Sequence, residues 1–369
     1  MHRPYGARNP DLATVNSLLS RLGLGALLPG TAETHPGRHA KCSGLTTSGR
    51  RVFVKQIRSG PGRQAAALKR SVAFQDVDVK AFSSAPLLGV DAQHGLLVYD
   101  FIEDATPADE IARDGAFGED LAHRTGEILA SLHGLGMAES MNAAEFSRQS
   151  FPPTEQLDGL SLDQLTGSSN AALQAWRLLQ QDGELVDALK ALSRDSRAKP
   201  PVPSHCDFRL DQLLVSGGTL HVIDWEEFRP ADPARDVGSF VGEWLYLAAD
   251  RAARAVHTED DGGQPSTAGP SREEITSRTA VELGRIQPVV KAFWLGYRSH
   301  GGPVQPGMPR RVVSLAGWHL FDRMFSLATG MVTLGATQYV AHGIGRRALL
   351  GPDAFARLLG LGEWDASSR

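Results

Sequence analysis

The apolar residues of this 369-residue chain change their spacing once, between Glu103 and Pro107, and that change limits what the chain can fold into. Before it, short apolar runs alternate with turn residues. Ala40–Thr46 and Arg51–Ile57, joined through Ser48 and Gly49, read as a hairpin, and Leu87–Val90 and Leu96–Ile102 read as two further strands. Helices are predicted over Asp11–Leu22, where Leu12, Val15, Leu18, Leu19 and Leu22 share a face, and over Gln64–Phe74. After the change the strand signal nearly vanishes. Glu119–Leu135 is a strongly amphipathic helix, more helix is expected around Asn170–Leu179 and Glu184–Leu192, and the pattern is helical from Val237 to the end. Thr258–Ser271, rich in Gly, Pro, Ser, Thr and Asp, reads as a mobile loop. The expected fold class is α+β, with a small β-rich N-terminal lobe over residues 1–103 and a large, mostly helical lobe over 104–369.

One hairpin interrupts the helical half, and it carries the chemistry. His205, Cys206, Asp207, Phe208, Arg209, Leu210, Asp211 and Gln212 precede two apolar runs, Leu213–Val215 and Leu220–Ile223, joined through Ser216, Gly217 and Gly218. Asp224 stands directly at the end of the second run. A loop aspartate, a hairpin and a second aspartate place a base and a cation ligand on opposite sides of one phosphoryl group. Lys55 ends the run Val52, Phe53, Val54, where a lysine on an apolar strand calls for an anionic partner. Taken singly, each has a plainer reading: a strand-edge lysine, a helix cap, a turn aspartate. Together they point to phosphoryl transfer. His205 is expected to fix the loop backbone and to carry no proton.

His205, Asp207 and Gln212, then Ile223, Asp224, Trp225 and Glu226, then Asp232, Pro233 and Asp236 resemble the aminoglycoside phosphotransferase and choline-kinase-like superfamily. Ile128, Leu129, Ala130, Leu132 and His133 resemble the helix that opens that family's larger lobe. The similarity runs from about Ala40 to Trp318 and implies a bilobal protein-kinase-like fold acting with ATP and Mg2+. By this resemblance Asp207 is the base and Lys55 reaches the nucleotide phosphates. The Asp100 carbonyl and Ile102 N–H hold adenine at an interlobe hinge, Asp224 and Gln212 ligate metal, and Asp236 is a structural anchor. Arg209, where small-molecule enzymes of this kind commonly have histidine, is placed to contact the γ-phosphate.

Within the superfamily, Gly37, Arg38 and His39, then Gly44 through Lys55, then Asp207 through Gln212 resemble the kinase component of class V lanthipeptide and thioamitide pathways. That implies a Ser or Thr hydroxyl of a ribosomally made precursor peptide as acceptor, with a separate lyase as partner. A small-molecule acceptor, such as an aminoglycoside-like antibiotic or a metabolite, is the alternative, and a nucleotide-binding pseudokinase scaffold is a further one. There are three departures from the family pattern. Gln212 replaces the usual asparagine. The chain from Gln56 to Lys80 holds no glutamate to pair with Lys55, leaving Gln64, Gln75 or Asp76 as candidates. Pro29–Arg38 lacks a glycine-rich phosphate motif.

The formal charge of −4 offers no basic field for nucleic acid or an acidic membrane surface, so any anionic ligand must be held by local positive groups. Cys42 and Cys206 are the only cysteines, which argues against a disulfide framework and for a reducing cytoplasm. Met324–Ala341 is the most membrane-like stretch, but its threonines, Ser326 and Gln338 make it a buried helix.

Overall fold

The structure, a computed structural model, describes residues 9–75, 77, 82–137, 141, 143–254 and 271–362. Its N-terminal lobe comprises α1 (Leu12–Arg21), β1 (Glu33–His35), β2 (Ala40–Leu45), β3 (Arg51–Gln56), α2 (Pro61–Gln75), β4 (Leu87–Asp91) and β5 (Leu96–Asp100). The strands form one antiparallel sheet in the order β1-β2-β3-β5-β4.

Strand alternation decides what each face holds. Val52 and Val54 of β3 and Val98 of β5 turn to one side and pack with Val15, Leu18 and Leu19 of α1. The intervening residues turn to the other side, where Leu97 packs with Ile57 and with Ala67 and Leu68 of α2. Register sets Lys41 of β2 opposite Lys55 of β3, and Lys55 opposite Leu97 of β5. Cross-strand partners share a face, so both lysines lie on the side away from α1.

The larger lobe begins with β6 (Thr106–Pro107), α3 (Ala108–Arg113) and α4 (Glu119–His133), followed by α5 (Leu162–Gly167), α6 (Asn170–Gln180) and α7 (Gly183–Ala198). Four short strands surround the loop that carries Asp207: β7 (Val202–Ser204), the hairpin of β8 (Leu213–Ser216) and β9 (Thr219–Val222), and β10 (Arg229–Ala231), which pairs with β7. The chain then runs through α8 (Ala234–Arg254), α9 (Arg272–Ser299), α10 (Met308–Ala328), α11 (Ala336–Leu350) and α12 (Pro352–Leu358). The core is aromatic at its centre, where Phe240 of α8 stacks on Phe293 of α9 at 4.0 Å. Helices α4 and α9 cross closely because two glycines face each other's backbones. A Cβ on Gly126 would lie 2.1 Å from the Phe293 carbonyl, and one on Gly296 would lie 2.0 Å from that of His123.

Met324–Ala341 is not one buried helix. It holds the end of α10, a turn with Gly330 and Gly335, and the start of α11. No helix among the described residues is long and apolar enough to cross a membrane. Nearly all of the Thr258–Ser271 stretch lies outside the described residues; Ser271 itself caps α9 through a reciprocal pair of hydrogen bonds with Glu274.

Candidate active site

The loop between β7 and β8 is held from behind by one carboxylate. Asp236, in the first turn of α8 and fully buried, accepts hydrogen bonds from the N–H groups of His205 and Cys206, both at 2.7 Å. The Cys206 backbone is left-handed, with φ of 65°. Such a backbone in a non-glycine residue persists only where its surroundings impose it, and here the Asp236 grip does so. His133 Nε2 donates to Asp236 at 3.2 Å, and its Nδ1 accepts from the Tyr297 hydroxyl at 2.9 Å. Burial would raise the Asp236 carboxyl, but the His133 bond and the nearby His205 reverse this and hold it below the ordinary value.

His205 is fully buried. Its Nε2–H donates to the Ile223 carbonyl at 2.9 Å and its Nδ1 accepts from the Asp207 N–H at 3.3 Å. Burial pushes its pKa down. Both ring nitrogens are therefore engaged with backbone, tying the loop to the end of β9.

Lys55 reaches across from β3 to two carboxylates that follow the hairpin. It contacts Asp224, and its Nζ lies 2.7 Å from Glu226 Oε2. Burial alone would lower the lysine pKa, but Asp224 and Glu226 outweigh it, so the ammonium is held above its ordinary value. Glu226 also meets His39 Nε2 at 3.3 Å and Arg38 at 3.5 Å. Burial would raise its carboxyl; the Lys55 charge and the His39 bond instead hold it well below the ordinary range.

Glu226 thus answers the question of the missing glutamate, which neither Gln64 nor Gln75 does. Gln75 accepts from the Leu87 N–H at 3.0 Å, Gln64 lies beside Gly95, and Asp76 is outside the described residues. Asp224 adopts φ of 72° and ψ of 60°, and residues Trp225–Glu227 form one 3₁₀ turn. That reversal carries Glu226 back toward β3. Helix α2 supports the turn without supplying a carboxylate: Arg70 donates to the Glu226 carbonyl at 2.5 Å, and Phe74 stacks on Trp225 at 3.3 Å.

Asp207 stands in the cleft with its side chain 39% exposed. The protein crowding it, together with Asp211, Asp224 and Asp322, outweighs Arg209 and pushes its pKa up to about 7. Water entering the open cleft screens part of that rise. Arg209 Nε lies 3.0 Å from Asp207 Oδ1 and 3.4 Å from Asp211 Oδ1. Those carboxylates outweigh burial and hold the guanidinium pKa above its ordinary value. Arg209 therefore begins as the counter-ion of Asp207 and not as a free cation.

Gln212 is 5% exposed. Its Nε2 donates to Asp211 Oδ1 at 3.2 Å, and its carbonyl accepts from Ile223 N–H at 3.0 Å, so it sits beside the residue preceding Asp224. Among the described residues no three His, Cys, Asp or Glu side chains gather as a metal site. A Mg2+ ion bound with nucleotide would need only one or two protein oxygens beside the phosphates. The Asp224 carboxylate and Gln212 Oε1, both hard donors at the two ends of one hairpin, fit that ion.

Lys41 escaped the sequence reading. The register sets it opposite Lys55, and its charge senses Lys55, Asp224, Asp211 and Glu226. Burial, then the Lys55 charge, lower its pKa against those carboxylates. The alternation of β2, with Lys41 two residues from Ser43 in the hairpin, was the available signal. At the hinge, Phe101 N–H donates to the Arg51 carbonyl at 3.2 Å and Asp100 N–H to the Pro86 carbonyl at 2.9 Å. The Asp100 carbonyl therefore faces away from β3. Its side chain is clamped by Arg50 through two bonds of 2.9 Å. A cavity of about 270 Å³ beside β9 and α4, lined by Phe82, Arg124, Glu127 and His300 among others, contains none of these residues.

A five-stranded sheet beside a helical lobe, with Lys55 of β3 paired to Asp224 after the hairpin, is a protein-kinase-like fold. The sequence matches the model of the phosphotransferase enzyme family (APH) over residues 44–274, and the chain belongs to that family. It is a phosphotransferase with a hydroxyl acceptor and uses ATP. Among solved structures, macrolide 2'-phosphotransferase MphH from Brachybacterium faecium is 16% identical, with a TM-score of 0.52 over 92% of this chain and 99% of that one. Choline kinase LicA from Streptococcus pneumoniae is 16% identical, with a TM-score of 0.50 over 91% and 98%. At these identities the likeness is one of fold. No curated protein matches the sequence.

Proposed function

We propose that the cleft transfers the γ-phosphoryl group of ATP to a hydroxyl of a small, amine-bearing or hydroxyl-rich molecule. The observation that carries the phosphoryl-transfer reading is the double ion pair of buried Lys55 with Asp224 and Glu226. Adenine lies at the Asp100 carbonyl and Ile102 N–H, and the phosphates lie under Lys55 and Lys41. Asp224 and Gln212 hold Mg2+, which neutralises phosphate charge when bound. The acceptor oxygen bonds to the γ-phosphorus, the bond to the β,γ-bridging oxygen breaks, and ADP leaves with that electron pair. The acceptor proton passes to Asp207, whose raised pKa suits a group that must accept one near neutrality. Arg209, released from Asp207 as that carboxylate is protonated, is positioned to meet the charge on the transferred group.

The acceptor reading draws on the cleft rim. Asp322 is exposed, and it and Asp211 add negative charge near Asp207. That suits a cation better than an acidic chain. Names among the fold neighbours, a macrolide phosphotransferase and a choline kinase, point to small acceptors as well. Asp109 on α3 does not add to this charge, because it pairs with Arg113 four residues on. A precursor-peptide hydroxyl remains the second reading, favoured by Arg209 at its spacing from Asp207.

Purified protein incubated with ATP, Mg2+ and either an amine-bearing polyol panel or a Ser/Thr-rich precursor peptide, read by mass spectrometry, separates the two. A gain of one phosphate on peptide alone removes the small-molecule reading. Asp224→Ala should abolish transfer to either; full transfer by that variant removes the mechanism.

A further inference from the structure

Behind the catalytic loop, three arginines meet with too little negative charge to match them. Arg235, next to Asp236 in α8, is 8% exposed. Its guanidinium lies over the Phe151 ring at 3.9 Å, and its Nε is buried without a hydrogen-bond partner. A narrow cavity in front of it is also lined by Arg148, Arg197 and Asp232. Arg148 donates to the Ser196 carbonyl at 3.2 Å and Arg197 to Ser150 Oγ at 3.0 Å, both neutral acceptors. Asp232, the one carboxylate lining the cavity among the described residues, is already held by Arg311 at 3.0 and 3.4 Å. Burial lowers the Arg148 pKa, Asp232 opposes this, and Arg197 adds to the lowering.

The neighbouring Asp236 feels the Arg235 charge, but its oxygens are taken by the His205 and Cys206 N–H groups and by His133. A buried guanidinium with no carboxylate hydrogen-bonded to it is costly, and its planar fork of donors matches an oxyanion. The cavity is small, about 10 Å³ measured to the centre of a water-sized sphere, which is room for one oxygen. One oxygen therefore fits inside toward Arg235. The rest of the group stays at the mouth, where Arg197 is exposed and Arg148 half-buried. In a chain of net charge −4, this local surplus is not part of a general positive field.

We propose that Arg148, Arg197 and Arg235 form a binding site for a phosphate-class oxyanion, separate from the nucleotide cleft. The anion is free phosphate or the phosphoryl group of a modified side chain. Pro230 and Ala231 of β10 also line the cavity, so the site rests on the segment that leads from the Asp224 turn into α8.

Titration calorimetry of the full chain with inorganic phosphate, and separately with a phosphoserine peptide, tests this. The wild-type protein and Lys55→Ala should both show a saturable event. In the Arg148→Gln/Arg197→Gln double variant it should weaken at least tenfold per arginine, since each removes a charge-assisted bond. These two residues are chosen because they reach solvent; an unchanged circular-dichroism spectrum confirms the fold, and buried Arg235 is left in place. Peptide binding that phosphate displaces and the double variant loses assigns the site to a phosphorylated side chain. Binding of phosphate without peptide assigns it to the free ion. Equal affinity in wild type and double variant, loss of the event in Lys55→Ala, or no saturable event with either probe would overturn the proposal.

Discussion

Replacing Glu226 by glutamine probes the surroundings of Lys55 most directly. The lysine side chain is 5% exposed and Glu226 11%, with 2.7 Å between Nζ and Oε2. Glutamine keeps the volume and one acceptor oxygen and removes the charge. Stripping a buried ion of its partner costs about 3–5 kcal/mol, but Lys55 keeps Asp224, so the full penalty does not apply. The relevant scale is one charge-assisted hydrogen bond, about 1.5–3 kcal/mol. Expressed in the reaction, that is roughly a ten- to hundredfold loss of kcat/KM. Lys55 would then be drawn wholly onto Asp224, the carboxylate proposed to hold the metal, so on that reading nucleotide must break the pair to bind. We expect the KM for ATP to rise while the KM for the acceptor stays unchanged. A coupled assay of ADP release, run across a Mg2+ titration, reads both. If Glu226 acted as a metal ligand, excess Mg2+ would restore the rate; for a residue that positions Lys55 it would not. A Glu226→Gln variant with an unchanged ATP KM would refute the reasoning.

With the Asp207 pKa pushed up to about 7, kcat should fall as pH drops through that value, because the base is then protonated. Its folded-state pKa lies above the unfolded one, so this group's contribution to stability falls as pH rises from the ordinary carboxylate range to about 7. A kcat independent of pH across neutrality would remove Asp207 as proton acceptor. Lys41→Gln should raise the KM for ATP about tenfold with kcat little changed, the loss of one phosphate contact; wild-type nucleotide affinity would show that Lys41 does not face the phosphates. Gly126→Ala, which would set a Cβ 2.1 Å from the Phe293 carbonyl, should destabilise by about 1–3 kcal/mol in denaturant unfolding. Gly167→Ala, with nothing within 4 Å, is the control and should stay within about 0.5 kcal/mol.

Much of the plan is legible in local pattern. The period-2 runs at Ala40–Thr46 and Arg51–Ile57 and the apolar stripe of Glu119–Leu135 follow from side-chain spacing alone, and the structure has strands and a helix there. The two aspartates flanking one hairpin were readable because hairpin and loop are both short-range. The break within Met324–Ala341 was not: apolar content masked a turn that packing of α11 against α8 and α10 fixes.

Glu226 marks the same boundary within the site. It was visible two residues past Asp224, yet no spacing rule pairs it with a lysine on the distant strand β3. The sequence by itself determined the α+β plan and, through the motifs it shares with a phosphotransferase family, the enzyme class, because local periodicity suffices for the first and short motifs for the second. Only the tertiary structure decided which carboxylate holds Lys55, that Lys41 stands beside it, and that Arg209 starts bound to Asp207. Those facts depend on strand register, on a left-handed backbone at Asp224 and on contacts between segments far apart in the chain.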